Sequence, residues 1–194
     1  MIDIEEIQKY VKQSMSTYRF NHTLGVVGTA KELSFRYGAS EHKAIVAALL
    51  HDVAKEFSTS KKRNFCKDHN IYLDEYVNKN INLSHGMIGA HIARIKFNIQ
   101  DEDILQAIAN HTFGRKNMST LEKIIYLSDI IEPNRMSYPG LEELRDITYQ
   151  DLDRAMEKAL NLTIIHLNSK NKQAHPVIYS MLTHYTESNI LKSK

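Results

Sequence analysis

Apolar residues recur at three- and four-residue spacing along nearly the whole chain, and alternating strand-like runs are absent. The pattern predicts an all-helical protein, with helices at about 3 to 15, 19 to 37, 41 to 55, 59 to 69, 72 to 78, 84 to 97, 101 to 111, 119 to 131, 141 to 146, 150 to 169 and 175 to 190. Stop and start signals fit these limits: Gly38 and Gly114 each follow a helix, Pro133 ends one, and Pro176 suits the first turn of the last. No Gly/Ser-rich linker, low-complexity tract or internal repeat divides the 194 residues, so residues 1–194 are expected to form one compact domain.

Several helices carry polar groups where a core wants none. The segment AIVAALLHDVAKE, residues 44 to 56, opens with seven apolar residues and then places His51 and Asp52 side by side. A charge buried at the end of such a helix costs several kcal/mol unless it is paired or bound to a metal. In LEKIIYLSDIIEPNR, Asp129 lies four residues after Ile125 and eight after Leu121, on the apolar stripe. His22 shares a face with Val26, Ala30 and Leu33. His85 precedes Gly86, Gly89 and Ala90, small residues that let a neighbouring helix approach, and His111 ends a helix just before Thr112, Phe113 and Gly114. A lone inward histidine is ordinarily a hydrogen-bonded core residue, but this set is the N/O ligand set of a catalytic site for Zn, Fe, Mn or Ni.

Composition narrows the picture. A 42% hydrophobic and 25% charged chain with no apolar run near the roughly 20 residues of a membrane span reads as soluble, with no membrane partner. The N-terminus shows no secretory signal, and the single cysteine, Cys66, fits a reducing cytoplasm and a half-buried structural place. A net charge of +2 without clustered Lys/Arg argues against nucleic acid as a partner, and the run KKR at 61 to 63 reads as a solvated helix face. Ten histidines matter because several of them converge on the segments above; His42, His69, His91, His166 and His184 read as structural or solvent-exposed.

The order His22, His51-Asp52, Asp129 resembles the HD-domain superfamily of metal-dependent phosphohydrolases, and the strings RFNHTLGV, ALLHDVAKE, LSHGMIGA, NHTFG and YLSDIIEPNR are similar to the YqeK family of bacterial HD proteins. The motifs run from about residue 19 to 135, with further helices at about 147 to 191. What the resemblance implies is an HD-domain helical bundle that hydrolyses diadenosine tetraphosphate symmetrically to two ADP. It implies one or two iron ions, with Mn, Co, Ni or Zn as substitutes. His22, His51, Asp52 and Asp129 would then hold the first metal, and Asp52 would bridge to a second held by His85 and His111. Asp52 and Lys55 would be catalytic, and Arg19, Lys55, His85, His111, Thr112, Arg135 and His175 would contact the dinucleoside polyphosphate. Homodimers are compatible with this reading. Its rivals are an HD phosphohydrolase of another nucleotide and a catalytically quiet metal or nucleotide sensor.

Overall fold

The computed structural model describes residues 3–192. Among these every regular element is helical: α1 (Ile4–Ser14), α2 (Thr17–Arg36), α3 (Glu41–Leu50), α4 (Thr59–Asp68), α5 (Glu75–Lys79), a 3-10 turn (Ile81–Ser84), α6 (His85–Phe97), α7 (Glu102–Asn110), α8 (Thr120–Ile131), α9 (Leu141–Thr148), α10 (Leu152–Ser169) and α11 (Pro176–Lys192). Most starts are fixed locally. Asp3, Ser16, Ser40, Ser58, Asp74, Asp101, Ser119 and Asp151 each accept a hydrogen bond from a first-turn backbone N–H, satisfying donors that would otherwise lack a partner.

Helices α2, α3, α7 and α8 pack on one another at the centre. α6 lies against α7, α1 against α3, α10 and α9 cover α8, and α11 packs on α10. The apolar run 46–50 is buried completely or nearly so, and Val26, Ala30 and Leu33 on the His22 face are fully buried. The small residues of α6 do what their size permits. A Cβ on Gly86 would lie 2.8 Å from Ala109 O, and one on Gly89 would lie 3.0 Å from Leu50 O, so α6 seats directly against the ends of α7 and α3.

Three expectations need correction. The helix foreseen over 41–55 stops at Leu50. The chain then continues in i→i−3 hydrogen bonds, Val53 N–H to Leu50 O and Lys55 N–H to Asp52 O, which wind it more tightly than an α-helix. Lys62 of the KKR run is buried, its ammonium donating to Lys55 O at 2.8 Å and to Asn82 Oδ1 at 3.1 Å. Its long stem packs inside while a carbonyl and an amide satisfy its head, a pairing with residues distant in sequence that a charge run cannot reveal. Cys66 is buried rather than half-buried.

Candidate metal centre

Six side chains from five parts of the fold converge. His22 comes from the middle of α2, His51 and Asp52 from the tight turn after α3, His85 from the start of α6, His111 from the end of α7 and Asp129 from α8. All except Asp129 are buried, and Asp129 sits at the mouth with its side chain 17% exposed. Potential ligand atoms of His22, His51 and Asp129 lie within 4.8 Å of one another, as do those of His51, Asp52 and His111.

The ring orientations are set from behind. His51 Nδ1 lies 2.6 Å from Ala48 O, His85 Nδ1 2.7 Å from Asn82 O and His111 Nδ1 2.8 Å from Ile108 O. A carbonyl only accepts, so each Nδ1 carries a proton. Burial pushes His51 and His85 down to about 4, the neighbouring His111 adding to this, although Asp52 opposes it; both rings are uncharged at neutral pH. A neutral ring holds a single proton, which leaves Nε2 as a lone pair facing inward.

The inward-facing nitrogens meet carboxylate oxygens and each other. His22 Nε2 is 3.0 Å from Asp129 Oδ1, His85 Nε2 is 3.2 Å from Asp52 Oδ1, His111 Nε2 is 3.5 Å from the same oxygen, and His85 Nε2 is 3.0 Å from His111 Nε2. Asp52 stays ionised. Burial raises it, but the His51, His111 and His85 imidazoles beside it and the Lys55 ammonium hold it well below the usual carboxylate range. Asp129 is likewise held low: His22, with Nε2 3.0 Å away, His51 and the Arg135 guanidinium outweigh burial and the repulsion of Asp52. The neutral rings of His51 and His85 and the ionised carboxylate of Asp52 face each other as acceptors. His22 Nε2, His51 Nε2 and Asp52 Oδ1 are buried without a hydrogen-bond partner within the protein. Convergent acceptors of this kind fit a divalent cation, and the imidazole/carboxylate chemistry suits Fe, Mn, Co, Ni or Zn without choosing among them.

Cations ring the mouth. Arg19 Nη1 donates to Asp52 Oδ2 at 2.9 Å, and Arg135 Nη2 donates to Asp129 Oδ1 at 2.8 Å. Lys55 Nζ lies 3.2 Å from His85 Nε2 and 3.7 Å from Asp52 Oδ1. The tight turn after Leu50 folds Lys55 back over Asp52, while the adjacent carboxylate of Glu56 accepts from Ser16 instead. Thr112 Oγ1 is 3.3 Å from His85 Nε2.

His175 lies outside this cluster. It stacks on Phe113 with ring centroids 4.5 Å apart, bonds Asp74 Oδ2 at 2.8 Å, and lines a cleft of about 430 Å³ with Tyr76, Lys79 and Pro176. Phe113, the ring on which His175 stacks, directly follows Thr112 in the chain. His69 and His91 pair with Phe65 away from the site, and His42, His166 and His184 are exposed, as their polar surroundings suggested. Sequence reasoning missed Glu132, a buried carboxylate whose Oε1 is 3.1 Å from His22 Nδ1. It caps the C-terminus of α8 three residues after Asp129, and nothing near it in sequence marks it as the partner of His22.

Comparison with known proteins agrees with this geometry. The HD domain family matches residues 19–134. A Bacillus subtilis (strain 168) protein named Bis(5'-nucleosyl)-tetraphosphatase, symmetrical, is 38% identical over 172 residues, covering 89% of this chain and 91% of its own. A protein of the same name from Halalkalibacterium halodurans is 41% identical, covering 86% and 88%. The crystal structure of a predicted HD superfamily hydrolase involved in NAD metabolism from Clostridium acetobutylicum superposes with a TM-score of 0.91 at 34% identity, covering 97% of this chain and 99% of that one. Motifs, helical order and these relatives agree that the chain belongs to the HD-domain family, in its YqeK branch.

Proposed function

We propose that this protein is a metal-dependent hydrolase that cleaves diadenosine tetraphosphate symmetrically, one water and one substrate giving two ADP. The observation that carries the reading is the set of inward-facing acceptor atoms rimmed by three cations, because it suits a metal ion on one side and a polyphosphate on the other. The names of the relatives supply the substrate class.

His22, His51, Asp52 and Asp129 would hold the first ion, and Asp52, His85 and His111 would hold a second or meet a phosphate. When bound, such an ion supplies Lewis acidity and a water acidic enough to lose its proton near neutral pH. The chain's own groups do the rest. Asp52, ionised and buried, can accept a proton through Oδ1, while Arg19 Nη1 fixes its other oxygen. Lys55, Arg19 and Arg135 would exchange their carboxylate partners for phosphate oxygens and neutralise charge developing on the departing ADP. Thr112 offers a hydroxyl, and the Phe113–His175 stack with Tyr76 offers an aromatic surface to a nucleoside. Iron is the metal we favour, in a reducing cytoplasm where a buried Cys66 stays a thiol, and we treat residues 1–194 as one catalytic unit.

The test is product analysis. Protein reconstituted anaerobically with Fe(II) and given diadenosine tetraphosphate should yield ADP as the sole nucleotide product by anion exchange. ATP with AMP, or released inorganic phosphate, would point to another phosphohydrolase, and binding without turnover would point to a sensor. Among the described residues no helix is long and apolar enough to cross a membrane.

A further inference from the structure

His22 differs from the other three histidines of the cluster. His51 and His111 stand at helix C-termini and His85 at the junction of the 3-10 turn with α6, where a carbonyl three residues back can accept from Nδ1. His22 sits inside α2, where the carbonyl of the preceding turn is engaged by the helix. Its Nδ1 instead meets Glu132 Oε1 at 3.1 Å, a carboxylate from the end of α8.

Glu132 is itself held in place. Its side chain is 2% exposed, and Oε2 accepts the Asn134 N–H at 2.7 Å. Its backbone carbonyl takes a hydrogen bond from Arg145 Nη2 at 2.9 Å, while Arg145 Nε binds Ile131 O. Room for the carboxylate comes from Gly25, one turn beyond His22: a Cβ there would lie 2.3 Å from Oε2. No other residue type leaves this space.

We propose that Glu132 is a positioning residue for His22, with Gly25 as the gap that admits it. The carboxylate holds His22 with its proton on Nδ1, orients the ring, and makes Nε2 a stronger donor toward the metal. This rests on reading His22 as a metal ligand, and the test separates the two claims.

The probe is Mn(II), its free concentration read by electron paramagnetic resonance against the full chain. Removing the carboxylate with Glu132→Ala should weaken Mn(II) binding about 10- to 100-fold. Glu132→Gln, which keeps an acceptor oxygen, should recover part of that loss. Gly25→Ala should weaken binding although the carboxylate is intact, and should add little in the Glu132→Ala background, where the carboxylate clash is gone and only the Asn134 side-chain amide, 2.9 Å from that Cβ, has to turn aside. Long-range proton–nitrogen spectra of the imidazoles should show His22 shifting toward the Nε2–H tautomer in Glu132→Ala. Wild-type Mn(II) affinity in both Glu132→Ala and Gly25→Ala, with His22→Ala impaired, would overturn the positioning role alone. Unchanged affinity in His22→Ala would overturn the ligand reading beneath it. Should Glu132→Ala fail to fold by circular dichroism, Gly25→Ala decides, since alanine favours the helical backbone at that position.

Discussion

The two sides of the cluster reach one chemical state by different means. On the α3, α6 and α7 side, three imidazoles are oriented by carbonyls three residues earlier in the chain, so once the helix ends form the rings are set. On the α2–α8 side, His22 depends on Glu132, which is 110 residues away in sequence. The first side is made by local structure, the second only by tertiary packing. Both present Nε2 to the same space, with a backbone carbonyl behind the ring on one side and a carboxylate on the other.

The largest blow to both sides at once is the pair substitution His51→Ala/Asp52→Ala, which removes the two residues at the centre of the ligand groups. Bound metal measured by atomic emission and hydrolysis measured by chromatography should both fall to background. Retained turnover would mean that the chemistry lies elsewhere.

Lys55→Ala leaves both sides standing and removes a cation at the mouth. We expect kcat to fall about 100- to 1000-fold, the scale of losing one charge-stabilising donor. Metal content should be unchanged, which separates a phosphate contact from a ligand role.

Acid should undo the locally built side first. His51 and His85 titrate at about 4 when folded, against 6.5 as the ordinary value. Between these limits the unfolded chain binds more protons than the native one, so stability rises with pH there. It is fully present above about 6.5 and is lost as pH falls toward about 4. Asp52 and Asp129, both held low, act in the same direction further into acid. Urea melts of metal-free protein across pH 4 to 7 should show this decline, and a flat profile would mean the rings are not buried neutral.

The smallest effect concerns packing alone. Gly86→Ala puts a Cβ 2.8 Å from Ala109 O and 2.9 Å from Ile108 O, so α6 must shift from the end of α7 that carries His111. A loss of about 1–3 kcal/mol in thermal or urea unfolding is expected, the usual cost of overpacking.

How much was legible in sequence follows the same division. The helices could be read because apolar spacing and capping residues are local, and His22, His51, Asp52 and Asp129 stood out because a polar group on an inward stripe calls for a partner. Glu132 was not legible: nothing near it in sequence says that His22 lacks a carbonyl of its own. The stop at Leu50, forced by the tight turn through Asp52, was hidden because the apolar-to-polar pattern of 44–56 suits a continuing helix equally well. Lys62 was misread because its acceptors, Lys55 O and Asn82, are brought to it only by the packing of α4 beside the 3-10 turn.

The measurement that tests the central claim most directly is turnover of diadenosine tetraphosphate by protein stripped with a chelator and then titrated with Fe(II) in the absence of oxygen. The account predicts no ADP from the stripped protein and activity that returns in proportion to added metal, saturating at one or two equivalents per chain. Undiminished hydrolysis by protein verified to be free of metal would contradict it.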